Sequence, residues 1–235
     1  MKAHGQMNTI LTALQNFDRK RKKVFPGSFL VLLMVLILFA GCSPESKLDV
    51  RALTASGDKA MDERSWGQAI DEYSKILTEN PNNGSILYRR AAAYLAKAKD
   101  HYNLAEAAVN KNEITTAEEE AKNADLNFGK AESDAREAIK FNANDANTWY
   151  VLGCIYIYQG EWRGAIDSFT RCTKIRPKDP FAWQRRGEVF EHTGDNASAL
   201  IDFRKAAELG YRTPDAEKKK ESKGAKKSRD SQKSK

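Results

Sequence analysis

A 34-residue stretch, residues 146–179, constrains the fold more than any other part of the chain. Large apolar residues recur three and four positions apart in its first half, as they do on one face of a helix. Gly160 is expected to end this first helix, because glycine adopts the left-handed cap conformation at little cost. Pro177 is expected to end a second helix, since proline cannot donate the next helical hydrogen bond. The residues that define the pattern are Trp149, Leu152, Gly153, Tyr156, Ala165 and Phe169.

The same spacing occurs in two further stretches of the chain. One copy follows at an offset of 34 residues, with Arg186 in place of the leucine. Another copy lies upstream, where Leu53 replaces the tryptophan. A single hairpin cannot bury its apolar faces alone, so neighbouring copies are expected to stack. The matching positions are Trp183, Gly187, Phe190, Ala199 and Phe203 downstream, and Leu53, Gly57, Ala60, Ala69, Tyr73 and Pro81 upstream.

These positions resemble the tetratricopeptide repeat (TPR), and the resemblance covers about two thirds of the chain. It implies an all-α fold, a TPR solenoid of four helical hairpins. The expected segments are a signal peptide at residues 1–41, a lipid-linked tether at 42–49, a TPR domain at 50–211 with repeats at 50–83, 84–145, 146–179 and 180–213, and a polar C-terminal cap helix with a disordered basic tail at 214–235.

The second repeat departs from the regular length, because about 28 additional residues separate its two halves. The added sequence is rich in Ala, Glu and Lys, which favour helix. Its one turn signal, residues 110–112, falls where each helix would be longer by about 14 residues, or nearly four turns. The insertion therefore predicts an extended hairpin, with helices at about Ser85–Val109 and Glu113–Phe141. Its predicted seam is mostly alanine.

The N-terminal residues have the composition of an export signal. Basic residues 19–23 precede Phe29–Ala40, an apolar run of 12 residues that is shorter than a spanning helix and suits a signal-peptide core. The residues that end at Cys42 resemble the bacterial lipobox, in which the cysteine carries a diacylglycerol and commonly an amide-linked palmitate. The resemblance implies lipidation of Cys42 and a protein anchored at the cell membrane or outer membrane, on its periplasmic or extracellular side. An uncleaved membrane anchor and ordinary secretion remain the alternatives.

The sequence shows no recognisable catalytic motif, and the TPR resemblance implies a binding protein rather than an enzyme. The formal net charge of +7 is concentrated at the two ends, because residues 1–41 and 212–235 carry six and ten basic residues against one and four acidic ones. The part between them is mildly acidic and lacks a basic helical stripe, so nucleic-acid binding by the fold is not expected. No phosphate loop, nucleophile motif or paired metal ligands are recognised, and no catalytic residue, metal or cofactor is predicted. Cys154 and Cys172 are expected to be free thiols.

The TPR resemblance also implies a peptide groove along the first helix of each hairpin. In this family, ligands lie against fixed positions of those helices. Carried onto this chain, the positions are Tyr88, Leu95, Asn147, Tyr150, Ile157, Tyr158, Phe181, Gln184, Glu188 and His192. Within this set, the predicted main contact surface comprises Tyr150, Ile157 and Tyr158 beside Phe181. The alternative is that several of these side chains pack against the neighbouring hairpin or the extended one.

Two functions are therefore in competition. The first is a non-catalytic scaffold for a protein or peptide partner, lipid-anchored in the cell envelope, similar to TPR lipoproteins that assist assembly of an envelope, pilus or secretion complex. The second is a secreted or membrane-anchored structural subunit that associates with itself through the extended hairpin.

Overall fold

The computed structural model describes residues 49–212, and these form eight α-helices. The predictions for the signal peptide, for Cys42 and for the cap helix and basic tail concern residues outside this range. In chain order the helices are α1 (Val50–Asp62), α2 (Trp66–Glu79), α3 (Gly84–Asn110), α4 (Ile114–Phe141), α5 (Ala146–Gln159), α6 (Trp162–Ile175), α7 (Pro180–His192) and α8 (Asn196–Glu208). Within the described range, none of the helices has both the length and the apolar character needed to cross a membrane.

The helices pack as consecutive antiparallel pairs, and each pair stacks on the next. Asparagine and aspartate side chains begin several helices by accepting hydrogen bonds from free backbone amides of the first turn. Asn83, Asp145 and Asp179 do so for α3, α5 and α7. Gly160 ends α5 in the left-handed conformation, with φ of 74°, as its position in the sequence predicts. The predicted all-α TPR-type fold is confirmed.

The extended hairpin is also confirmed. Helix α3 has 27 residues and α4 has 28, and their turn includes Asn112 at φ 61°. Asparagine tolerates this left-handed backbone better than most residues. The seam between the two helices is built largely from buried alanines, which allow close approach but bury little apolar area each. These are Ala98, Ala105, Ala108, Ala117 and Ala124.

A glycine in the first helix of three hairpins lets an aromatic ring of the second helix pack against its backbone. A Cβ on Gly153 would lie 2.8 Å from Cε1 and Cζ of Phe169, and a Cβ on Gly57 would lie 2.5 Å from Cε1 of Tyr73. Both rings are fully buried. The glycines are therefore required by packing at these positions, because the space that a Cβ would take is filled by the ring.

A buried ion pair joins the two helices of the extended hairpin. Its arginine, Arg90, occupies the position where the TPR pattern has leucine. The guanidinium of Arg90 in α3 donates to both oxygens of Asp134 in α4, at 2.7 and 2.8 Å, and Asp134 is 8% exposed. A third donor of the same guanidinium reaches Oγ of Ser74 in the preceding hairpin, at 3.1 Å. The bidentate geometry suits arginine in particular.

The last hairpin repeats this arrangement at the equivalent positions. Arg186 donates to both carboxylate oxygens of Asp202 at 2.7 and 2.8 Å, and to Oγ1 of Thr170 in the preceding hairpin at 3.0 Å. The hairpin between them has Leu152 and Ser168 at the corresponding positions, with no charge at either. The same pair of positions is therefore filled by an ion pair in two hairpins of this chain and by uncharged residues in the hairpin between them.

Candidate peptide-binding surface

The starts of α3, α5 and α7 lie side by side and enclose two neighbouring depressions. One, of about 300 Å³, is lined by residues of all three helices, and the other, of about 320 Å³, lies between the α3 and α5 starts. They share Tyr88 and Asn147 and so form one continuous surface. We call this surface the aromatic trough and define it by Tyr88, Asn147, Tyr150 and Phe181.

Three aromatic rings give the trough its apolar character. Phe181 is 59% exposed, an unusual exposure for a phenylalanine in an ordered helix. Tyr88 and Tyr150 are half-buried beside it. The ring of Phe181 is held edge-on by Tyr211, with ring centroids 5.7 Å apart. The rings of Tyr150 and of Phe169 in the core pack in a T-shaped arrangement, with their centroids 5.6 Å apart. Phe181 and Tyr150 are therefore each held by a neighbouring aromatic ring, while part of their own surface faces solvent.

The charged side chains that line the trough all have partners within the described part of the chain. Arg89 is paired with Asp58 of the first hairpin. Nη2 of Arg176 lies 3.3 Å from Oδ2 of Asp179. The carboxylates of Asp145 and Asp179 also accept the first backbone amides of α5 and α7. Asp145 has no ion pair among the described residues, so the surface offers a partner aromatic rings, hydrogen-bonding groups and one carboxylate without a cation beside it.

The tyrosine hydroxyls of the trough are held in their neutral form. Burial raises the pKa of Tyr88, and burial likewise raises the pKa of Tyr150, where the nearby Arg185 opposes the shift. Both phenols consequently remain protonated and able to donate a hydrogen bond throughout the physiological pH range.

The ten positions implied by the TPR resemblance do not all reach this surface. Tyr88, Asn147, Tyr150 and Phe181 do. Leu95 is 9% exposed in the core, so its side chain has little surface for a ligand. The remaining positions fall further along α5 and α7, beyond the trough.

Those remaining positions engage other parts of the fold. Ile157 packs against the core around Phe169. Tyr158 stacks on Phe128 of the extended hairpin at 5.0 Å and meets Tyr102 at 5.3 Å, as the packing alternative anticipates. Further along, Gln184 donates to Glu188 at 3.2 Å, and the ring of His192 lies 4.0 Å from that of Trp162.

Pattern reasoning missed the charged residues that line the trough. Arg176 and Asp179 come from the loop before α7, and Arg89 follows Tyr88 directly. The family rule addresses only fixed positions of each first helix, so the loop residues fall outside it, and Arg89 of α3 is not at one of those positions. One sequence signal could have indicated this loop: it contains Asp179, the aspartate whose side chain begins α7 and which therefore lies at the start of that helix.

No reactive group stands out near the trough. Cys154 and Cys172 are free thiols, as expected, and burial raises the pKa of the Cys154 thiol to about 11. Among residues 49–212, no three His, Cys, Asp or Glu side chains are close enough to hold a metal ion.

The comparisons with known proteins identify the repeat. The profile of the tetratricopeptide repeat family matches residues 146–179. The chain is 26% identical over 156 residues to TPR repeat-containing protein MJ1428 of Methanocaldococcus jannaschii, which covers 60% of this chain and 28% of that protein. It is 29% identical over 82 residues to anaphase-promoting complex subunit 3 of Schizosaccharomyces pombe, covering 35% of this chain and 12% of that protein.

A solved structure shares the fold. MamA, residues 41 to the end, from Desulfovibrio magneticus RS-1 superposes with a TM-score of 0.54 at 18% identity, covering 69% of this chain and 76% of that one. This likeness concerns the fold alone. The chain spans less than a third of the length of either curated relative, so the activities of those proteins do not carry over to this chain. Proteins built from TPRs act as scaffolds for protein–protein interactions.

Proposed function

We propose that this protein is a non-catalytic scaffold that binds a protein partner at the aromatic trough. The observation that carries the proposal is Phe181, 59% exposed on a helix start beside two half-buried tyrosines, where a depression of about 300 Å³ gives the rings a shared concave face. Aromatic anchors set in a pocket are the groups that most often dominate binding energy at protein interfaces.

The proposal extends to where the scaffold acts. Residues that resemble a lipobox end at Cys42, and the described helices begin at Val50, so a short tether would separate a lipid from the fold. Several acyl chains on Cys42 would give stable anchoring, where one chain alone is marginal. The scaffold would then assist assembly of an envelope, pilus or secretion complex from the membrane surface.

The lipid anchor is tested by replacing its attachment residue. Cys42→Ala is expected to move the protein from the membrane fraction to the soluble fraction while its helical circular dichroism stays unchanged. The measurement is fractionation of cells followed by immunoblotting, with Cys172→Ala as the matched control because that thiol is buried in the fold. Retention of the Cys42→Ala protein on membranes would show that something other than a lipid on this cysteine holds it there.

The scaffold function is tested through its aromatic anchor. Phe181→Ala is expected to lower the recovery of co-purifying proteins about tenfold or more, because truncating a central aromatic residue typically costs at least 1–2 kcal/mol of binding energy. Quantitative mass spectrometry of complexes isolated from detergent-solubilised membranes measures the effect. Ile201→Ala is the control, since Ile201 is 65% exposed on α8 and does not line the trough. Equal recovery with Phe181→Ala and the intact protein would remove the trough from the function.

A further inference from the structure

We infer that the outer half of the extended hairpin binds an amphipathic helix with basic flanks, supplied by another protein. We call this second surface the arm stripe and define it by Tyr102 and Val109 of α3 and by Ile114 and Ala121 of α4. The aromatic trough lies at the start of α3, whereas the arm stripe lies toward the end of that helix, so the two surfaces are separate.

The members of the arm stripe are exposed although they are apolar. Tyr102 is 44% exposed, Val109 58% and Ile114 53%, and Ala121 is exposed as well. Single apolar residues on a surface are ordinary, but several on one face of a projecting element mark a surface that another molecule covers.

The stripe belongs to a longer row of apolar residues with a seven-residue period on both helices. Residues seven apart lie on one face of a helix, and this period is typical of the seam between packed helices. The surface that complements such a row is therefore the apolar face of another helix. The row consists of Leu95, Tyr102 and Val109 on α3 and of Ile114, Ala121 and Phe128 on α4.

A helix of the chain itself covers the inner end of this row. Tyr158, near the end of α5, stacks on Phe128 with ring centroids 5.0 Å apart and meets Tyr102 at 5.3 Å. Leu95 and Phe128 are consequently buried, and Leu95 packs in the same apolar cluster as residues of α5. Because α5 ends at Gln159, the arm stripe continues this helix interface beyond the point where its covering helix stops.

Carboxylates accompany the arm stripe on both helices. Glu106 lies four residues after Tyr102 and three before Val109, so it is on the same side of α3. Glu118 and Asp125 have the corresponding positions beside the row on α4. All three side chains are exposed, and none of them takes part in an ion pair within residues 49–212. A partner helix therefore meets an apolar seam with acidic edges.

The charge also decides between the possible occupants. Residues 99–127 contain seven acidic and three basic residues, so the same surface of a second copy would bring like charges together. The basic end of the chain, residues 212–235, has no apolar side chain larger than alanine except Pro214, and it cannot fill an apolar seam. A helix of another protein, with lysine or arginine at the edges of its apolar face, satisfies both requirements.

The test measures binding of designed helical peptides to the full chain by fluorescence anisotropy. The chain is held in nanodiscs of zwitterionic phosphatidylcholine, and empty nanodiscs give the blank. The probe is a fluorescein-labelled peptide of three heptads, with leucine at the two seam positions and lysine at the two flanking positions. One comparison peptide has glutamate in place of lysine, and another has the residues of the probe in an order without the period. The lysine peptide is expected to bind saturably, and at least tenfold more tightly than either comparison peptide.

Substitutions in the arm stripe test where the peptide binds. Val109→Ser combined with Ile114→Ser is expected to weaken binding of the lysine peptide about tenfold, because two apolar side chains leave the seam. Both residues are exposed, so the helical circular dichroism is expected to stay unchanged. Leu104→Ser is the matched control, since Leu104 is similarly exposed but lies about 200° around α3 from Tyr102. This control is expected to leave the affinity unchanged.

Substitutions of the flanking carboxylates test the charge of the partner. Glu106→Gln combined with Glu118→Gln is expected to weaken the lysine peptide about fivefold at low salt and to reduce the dependence of its affinity on salt. Phe181→Ala, in the trough, is expected to have no effect on this peptide. Partner recovery that falls with Phe181→Ala and lysine-peptide binding that falls only with the arm variants would separate the two surfaces.

Three results would overturn the inference. The first is binding of the glutamate peptide as tight as that of the lysine peptide. The second is a loss of affinity with Leu104→Ser or Phe181→Ala equal to that with the Val109 and Ile114 replacements. The third comes from analytical ultracentrifugation of the full chain in mild detergent: a dimer that the Val109 and Ile114 replacements dissociate would make a second copy the occupant.

Discussion

Asp202→Ala is expected to lower the free energy of unfolding by about 3–5 kcal/mol, because it leaves the guanidinium of Arg186 buried without its counterion. The carboxylate of Asp202 is 2% exposed and accepts two hydrogen bonds from Arg186, whose side chain is 15% exposed. The rings of Trp183 and Phe190 lie 4.9 and 5.7 Å from the guanidinium carbon and would offset part of the loss. Thermal unfolding followed by circular dichroism measures the effect, with an expected fall in Tm of roughly 10 °C.

The chain itself provides the compensating variant. Arg186→Leu combined with Asp202→Ser reproduces the pair Leu152 and Ser168, which occupy the same positions one hairpin earlier. The double variant is expected to unfold within about 1 kcal/mol of the original protein, because replacing both members of a buried ion pair is often neutral or stabilising. A double variant as unstable as Asp202→Ala alone would contradict this explanation.

A surface pair on the same helix is the control for the loss of charge. Lys205 and Glu208 are 3.2 Å apart with side chains about half exposed. Glu208→Ala is therefore expected to change the free energy of unfolding by less than about 1 kcal/mol.

Gly153→Ala is expected to destabilise the protein by about 2 kcal/mol, although alanine is the better helix former. The new Cβ would lie 2.8 Å from two ring carbons of Phe169, a fully buried side chain that has no room to withdraw. Overpacking of this kind typically costs 1–3 kcal/mol. Urea denaturation measures the difference in the free energy of unfolding between the two proteins. The comparison uses the same m value, the dependence of that free energy on urea concentration, for both.

The matched control is a glycine within a helix and without neighbours. Gly129 lies inside α4, and a Cβ added there meets nothing within 4 Å. Gly129→Ala is accordingly expected to stabilise the protein by about 0.5–1 kcal/mol through helix propensity. Effects of the same sign at both positions would show that propensity, and not the approach of Phe169, determines the outcome.

The helices were predictable because their signals are local. Gly160 ends α5 as expected, and the turn at residues 110–112 places the extended hairpin to within about a residue at most ends. The period of the repeat predicted how the hairpins stack, because a strong repeat in sequence requires equivalent packing in each copy.

The buried ion pairs were not predictable from the period alone. Arg186 is visible as a departure from leucine, but its partner is 16 residues away on another helix. Arg90 and Asp134 are 44 residues apart, and the likeness of the two pairs emerges only when the insertion of about 28 residues is discounted. A pairing of this kind depends on which side chains meet across helices, which neither propensity nor periodicity specifies.

The candidate site was predictable in part, for a related reason. The family positions identified Tyr88, Asn147, Tyr150 and Phe181, because the starts of the first helices are regular. They do not by themselves show which of these side chains are covered; the alternative of packing against the extended hairpin is the one that holds for Tyr158, which contacts Phe128 and Tyr102. The extended hairpin, which distinguishes this chain from a regular array of repeats, therefore also changes which of the ligand positions implied by the TPR resemblance are accessible.

The most direct measurement of the central claim is a crosslink from the trough itself. The photoreactive residue p-benzoylphenylalanine is placed at position 181 in exchange for Phe181, and at position 201 in exchange for Ile201, in living cells. Irradiation is expected to give a discrete adduct with another protein at position 181 and none at position 201. An adduct of twice the mass of the chain would instead support the self-associating subunit. Adducts at both positions alike, or at neither, would contradict a partner-binding function for this surface.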